Sequence, residues 1–208
     1  MTHILLTHGY FLSEDEKERQ IMKPYPPLGL LCLSAYLKTL GHSVEVYDST
    51  FGTRPELVEK IRRSPGGILG IYTNLVTRSS NLHIISAAKR AGYTVILGGP
   101  ESANHSAEYL NAGADIVVVG EGETTLGELL ATLPSMGPRD LGSVRGIVFK
   151  NEAGELVHTA ERAKINDLDT LPMPDREAID HQKYLDAWKA HHGASSINLI
   201  TARGCPYR

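Results

Sequence analysis

The sequence predicts an α/β fold: a Rossmann-like, flavodoxin-like sheet of five parallel strands with helices on both faces, followed by a β-hairpin and a connector. Three observations predict it. Short apolar runs alternate with helix-period segments five times over residues 1–135. Glycine or proline punctuates the junctions between them. The third apolar run, Ile68 to Tyr72, is apolar on both faces, as a central parallel strand has to be. Such a unit is expected to order its strands 2-1-3-4-5 and to bind its ligand at their carboxyl ends.

The elements follow in turn. Ile4 to Thr7 reads as the first strand, and the polar stretch from Gly9 to about Lys23 as a long loop. Pro26 and Pro27 open a helix carrying Leu30, Leu33, Leu37 and Leu40, and Gly41 stops it. Val44 to Tyr47 is the second strand and Pro55 to Arg63 the second helix. After the third strand, Ser79 or Ser80 is expected to cap a helix that ends at Gly92. Thr94 to Leu97 is the fourth strand, followed by Gly98-Gly99-Pro100 and a short helix from Ser106 to Ala112. Ile116 to Val119 is the fifth strand, and Thr124 to Leu133 the helix that closes the unit. Beyond Pro134 the rhythm changes. Gly146 to Lys150 and Leu156 to Thr159 flank Asn151-Glu152-Ala153-Gly154, the pattern of a hairpin. Residues 136–195 hold this hairpin and a proline- and charge-rich connector. Residues 196–208 begin with Ile197 to Thr201, which reads as a new buried strand, and end on a Gly-Cys-Pro turn.

Composition removes several classes of function. Hydrophobic residues are 41% and charged residues 22% of the 208, the balance of a globular protein. A net charge of -3, from 21 basic and 24 acidic residues, comes with no basic stripe and argues against nucleic acid. No apolar run approaches the ~18 residues of a membrane span. The opening MTHILLTHGY turns polar too early for a secretory signal. Two cysteines, Cys32 and Cys205, make no disulfide framework, so cytoplasmic residence is expected.

The loops at the carboxyl edge also exclude ligands. A dinucleotide fold needs Gly-x-Gly-x-x-Gly after its first strand, where this chain has His8-Gly9-Tyr10-Phe11. A phospho-receiver needs an acidic cluster after the first strand and a lysine after the fifth, and neither is present. What remains is a set of small, backbone-exposing loops: Tyr72-Thr73-Asn74, Gly98-Gly99-Pro100 and Gly120-Glu121-Gly122. Glycines there let a large flat or elongated ligand lie against the main chain. They serve equally as ordinary strand-to-helix turn residues, and the residues alone leave both readings open.

Several segments together resemble one family. PPLGLLCLSAYLKTLGHSVEVYD is similar to the first helix and second strand of the cobalamin-binding domain that stands at the N-terminus of many radical S-adenosylmethionine (SAM) enzymes. VILGGPES and ADIVVVGEGETTLGELL resemble its fourth and fifth strands with their loops, and DLDTLPMPDREAID its connector. INLITARGCPYR resembles the opening strand of the radical SAM barrel and the start of Cys-x-x-x-Cys-x-x-Cys, cut at its first cysteine. The resemblance implies a methyltransferase or radical cyclase acting on a lipid, tetrapyrrole or natural product. Its cofactors would be cobalamin, a 4Fe-4S cluster and SAM, with Cys205 as the first cluster ligand. Its partners would be a small-molecule substrate and an electron donor such as a flavodoxin or ferredoxin. It places cobalamin over the carboxyl edge of the sheet, with the dimethylbenzimidazole tail between the third- and fourth-strand loops. Gly98, Gly99 and Gly120 would give backbone approach, with Pro100, Glu121 and Gly122 beside them and Thr73 and Asn74 at the flank. Gly99→Leu is expected to fill that space.

The chain departs from the pattern in places. The Asp-x-His-x-x-Gly that sets a histidine under cobalt in methionine-synthase-like domains is absent; the nearest string is Asp48-Ser49-Thr50-Phe51-Gly52. No histidine is therefore expected as a lower ligand, with His8 the one candidate at the end of a central strand. Glu101 stands where the family often has histidine after Gly-Gly-Pro. Two alternatives follow: a radical SAM enzyme whose domain has lost cobalamin and serves as a substrate or partner platform, or a free-standing binding module. One cysteine cannot hold a cluster, so these 208 residues alone are expected to be inactive.

Overall fold

The computed structural model describes residues 2–133 and 138–204. Its seven-stranded sheet has the order β2-β1-β3-β4-β5-β6-β7. The strands are β1 (His3–His8), β2 (Ser43–Tyr47), β3 (Ile68–Tyr72), β4 (Thr94–Gly98), β5 (Ile116–Val118), β6 (Ile147–Lys150) and β7 (Leu156–His158). The first five are parallel in the expected order. The hairpin extends the same sheet: β6 runs antiparallel to β5, pairing Val117 with Val148, and β7 antiparallel to β6.

Alternation along the strands divides the core in two, because successive side chains point to opposite faces. Leu5, Leu69, Ile71, Val95 and Leu97 face α3 (Arg54–Arg63) and α4 (Arg78–Arg90), meeting Leu57, Ile61, Ile84 and Ile85. Ile4, Leu6, Ile68, Ile96 and Val118 face the other way, onto Leu30 and Leu37 of α2 (Leu28–Thr39) and Leu126, Leu129 and Leu130 of α7 (Gly122–Thr132). Both faces are covered, which is why the central strands carry no polar face.

Four details differ from the reading of the sequence. The long loop after β1 contains α1 (Glu16–Ile21), capped by Asp15, whose side chain accepts from Glu18 N at 3.0 Å. Helix α4 starts earlier than a Ser79 or Ser80 cap would allow. Asn74 and Thr77 cap each other reciprocally at 3.0 and 3.2 Å, and the turn they close runs straight into the helix. Gly98-Gly99-Pro100 leads at once into α5 (Pro100–Asn104), ahead of α6 (Ser106–Asn111). The connector carries α8 (His181–His192), with Asp180 accepting from Gln182 N at its start and Gly193 at φ 76° at its end.

Ile197 to Thr201 forms no strand. Ile197, Leu199 and Ile200 are 47%, 72% and 60% exposed. An apolar run becomes a strand only when another strand satisfies its backbone. Here Asn198 Nδ2 donates to Pro26 O at 2.9 Å, and Arg176 Nη2 donates to Asn198 O at 2.8 Å, so the segment lies as a strap over the domain.

Candidate functional site

The strand order reverses direction between β1 and β3, and their following helices leave on opposite faces of the sheet. That geometry opens a crevice at the carboxyl ends. A cavity of about 610 Å³ occupies it, within the ~300–1,000 Å³ usual for small-molecule sites. Mid-strand residues Leu6, Gly70 and Ile96 form its floor, and Gly29, Leu33 and Leu126 its walls. At the rim are Gly98, Gly99, Pro100, Gly120, Glu121 and Gly122.

The rim glycines differ in what they do. Gly99 holds φ 113°, and a Cβ there would lie 2.3 Å from Thr73 O and 3.0 Å from Thr73 N. Only glycine fits, because the loops after β3 and β4 touch: Thr73 N donates to Gly98 O at 2.7 Å. A side chain at Gly99 would therefore push into the Thr73 backbone instead of filling a ligand's space. A Cβ on Gly98, by contrast, would meet nothing within 4 Å, and the same is true of Gly29 and Gly120. The cradle that a side chain would fill is at these three positions.

Thr73 and Asn74 lie behind the rim. The Thr73 hydroxyl donates to Gly98 O and accepts from Ser102 N, each at 3.0 Å, and the residue is fully buried. Asn74 spends its side chain on the cap of Thr77. Both side chains hold the loops that shape the cavity. Glu101 is buried and accepts from Arg78 Nη1 at 3.0 Å.

Charge gathers at one side of the mouth. Glu123, buried on the first turn of α7, pairs with Arg203 of the strap at 2.6 Å. Arg203 also lies 3.9 Å from Glu121, whose Oε2 accepts from Ile165 N at 2.6 Å. Arg203 and Ile200 thereby become part of the cavity lining. Cys32, half-buried on α2, faces the same space. Burial pushes its thiol pKa above the ordinary value, against the lowering effect of Arg203. Sequence reading missed Gly29, Gly70, Glu123 and Arg203. A lone glycine inside an apolar strand, as at Gly70, is the signal that could have found the floor.

A second polar group lies at the end of β1. His8 Nδ1 accepts from Tyr10 N at 3.2 Å, so Nε2 carries the proton and donates to Asp48 Oδ1 at 3.0 Å. Asp48 also accepts from Tyr184 OH at 2.6 Å and from Thr50 N at 3.1 Å. Burial acts to raise the Asp48 pKa, but its bonds with His8, Tyr184 and Thr50 outweigh that and hold it below its ordinary 3.8. Both nitrogens of His8 are thus engaged. Cys205 lies outside the described residues. Among the described residues, no three His, Cys, Asp or Glu side chains converge as a metal site. No helix among them is long and apolar enough to cross a membrane.

A family model described as a B12 binding domain matches residues 20–130. An anaerobic magnesium-protoporphyrin IX monomethyl ester cyclase of Synechocystis sp. is 29% identical over 190 residues, which is 88% of this chain and 36% of the cyclase. An uncharacterized methyltransferase of the same organism is 28% identical over 134 residues, 64% of this chain and 20% of that protein. The chain therefore spans between a fifth and just over a third of the length of these curated relatives. Among solved structures, the cobalamin-dependent SAM radical enzyme OxsB with aqua-cobalamin and SAM bound superposes with a TM-score of 0.78 at 20% identity. That match covers 100% of this chain and 27% of OxsB. OxsB with aqua-cobalamin alone gives 0.71 over 84% of this chain and 24% of OxsB. At that identity the likeness establishes the fold.

Proposed function

The chain belongs to the B12 binding domain family, and from that premise we propose that it is the cobalamin-binding region of a radical SAM enzyme. The observation that carries the proposal is the apolar cavity at the carboxyl edge, open at Gly29, Gly98 and Gly120 where any side chain would intrude. A corrin needs a broad rim of backbone, and its nucleotide tail needs a deep apolar slot. Gly98, Gly99, Pro100, Gly120, Glu121 and Gly122 supply the first. Leu6, Leu33, Gly70 and Leu126 supply the second. Thr73 and Asn74 act one layer out, by holding the two loops in place.

When bound, cobalamin supplies a cobalt centre able to carry a methyl group or assist a radical step. The chain's own part is to orient the cofactor and keep water from its buried face. We assign Cys205 as a ligand of a 4Fe-4S cluster that binds SAM in a longer chain, reduced by a flavodoxin or ferredoxin. The relatives, a tetrapyrrole ester cyclase and an uncharacterized methyltransferase, support methyl transfer or radical cyclisation on a small-molecule substrate.

Titration with hydroxocobalamin, followed by visible absorbance and gel filtration, tests the core of the reading. Saturable binding of one equivalent is expected, and free passage of the cofactor through the column would refute it. A second reading, a domain that keeps the fold as a platform without cobalamin, draws on Ile200 and Arg203 lining the cavity. The same titration separates the two.

A further inference from the structure

Cobamides share one corrin but differ in the base at the end of the nucleotide tail, which is a benzimidazole in some and a purine in others. We infer that this chain discriminates between them, accepting the apolar dimethylbenzimidazole and disfavouring adenine. The inference rests on the cobalamin reading above and concerns the inside of the same cavity.

The argument is one of unmet hydrogen bonds. Below the rim the side chains are hydrocarbon, Leu6, Ile96, Leu30, Leu33 and Leu126, apart from the phenol of Tyr72. The strand backbone behind them is spent on the ladder, with Gly70 paired to Leu6 on one side and Ile96 on the other. The polar groups at the mouth are committed. Glu123 holds Arg203, and Glu121 holds Ile165 N. Cys32 contributes a thiol, which is a weak donor and a weak acceptor. A dimethylbenzimidazole in this slot buries two methyl groups and a fused ring against leucines. An adenine in the same place buries an exocyclic amine and additional ring nitrogens, more polar groups than the Tyr72 hydroxyl and the Cys32 thiol of the described lining can pair. Each buried group left unpaired costs enough to weaken binding by about tenfold or more. A site that merely lacks partners for a purine rejects it without any steric clash.

Gly29 and Leu33 set the slot's chemistry from the α2 side. Gly29 leaves room for the ring, since a Cβ there would meet nothing within 4 Å. Leu33 covers it with hydrocarbon, and as a partly buried residue it can be exchanged for a polar one at modest cost to folding.

The test compares three probes on the purified chain by ultrafiltration and visible absorbance: hydroxocobalamin, the adenine-based cobamide, and aquacobinamide, which has the corrin but no base. Cobalamin is expected to bind about tenfold or more tightly than the adenine analogue. Gly29→Leu should bring cobalamin down to the level of cobinamide, and Leu33→Gln should narrow the gap between the two bases. Equal affinity for cobalamin and the adenine analogue would overturn the inference and leave the cobalamin assignment standing. So would cobinamide binding as tightly as cobalamin, since the base would then not use the slot. Failure of all three probes to bind would overturn the cobalamin reading itself, and the inference with it.

Discussion

Tyr184, on a connector helix, donates its hydroxyl to Asp48 at the end of β2 at 2.6 Å, across 136 residues of sequence. The tyrosine is 1% exposed. Burial, followed by the negative charge of Asp48, pushes its pKa far above the ordinary phenol range, so it stays a donor at any working pH. Asp48 accepts from three groups at once, and the bond ties α8 to the parallel sheet.

Asp48→Asn should therefore destabilise the domain. An amide has one acceptor oxygen, so at least one of the three donors would face an NH2 group, at a cost of about 2 kcal/mol near neutral pH. The pH dependence has a definite sign. The folded-state pKa lies below the ordinary 3.8, so the stabilisation by the carboxylate is fully present above that value and is lost as pH falls through the folded pKa. Urea unfolding at pH 7 and pH 3 should show a gap between wild type and variant that is smaller at pH 3 than at pH 7. An equal gap at both would contradict the ionised role.

Gly98→Leu should abolish cobalamin binding with the fold intact, because its side chain would enter open cavity space. Gly99→Leu should instead lower the melting temperature, since its Cβ would overlap the Thr73 carbonyl at a φ of 113°. Circular dichroism melts and cofactor titrations of the two variants distinguish the positions. A Gly98→Leu protein with unchanged affinity would remove the site.

Arg203→Ala should speed the reaction of Cys32 with a maleimide several-fold, read by peptide mass spectrometry of the Cys32 segment. The strap closes over the cavity that Cys32 lines, held by the Arg203–Glu123 pair. Arg203 also lowers the Cys32 pKa, so its loss would slow alkylation if charge were its whole effect. Acceleration marks a cover that has lifted, and deceleration marks electrostatics alone.

Paramagnetic resonance of the cob(II)alamin form should show no nitrogen ligand from His8. One ring nitrogen accepts from Tyr10 and the other donates to Asp48. Superhyperfine splitting that vanishes in His8→Ala would show that the imidazole swings free of both partners.

Much of the candidate cavity rim is legible in the sequence. Gly98, Gly99, Pro100, Gly120, Glu121 and Gly122 end strands whose order was predictable, and all six line the cavity. Thr73 and Asn74 sit in the right loop, but whether a loop residue faces ligand or neighbour depends on the adjoining loop. Here Ser102 and Thr77 claimed them. Arg203 could not be found from sequence, because its partner Glu123 lies 80 residues away. Helix α8 had a local signature, Asp180 before it and Gly193 after it, within a stretch that composition marked as connector.

The amino-acid sequence by itself determined the five βα units, their parallel order and the hairpin that follows. Those features rest on local periodicity and turn chemistry, which each segment carries regardless of its neighbours. Tertiary structure alone decided the rest. Gly99 became a required glycine and Gly98 an open one because the Thr73 backbone approaches only the first. Ile197 to Thr201 has the composition of a strand but lies as a strap, because among the described residues no strand pairs with it and its contacts are to Pro26 and Arg176 instead. Asp48 became the anchor of a helix more than a hundred residues away. A periodic pattern shows that a face will be buried, and only packing settles what buries it.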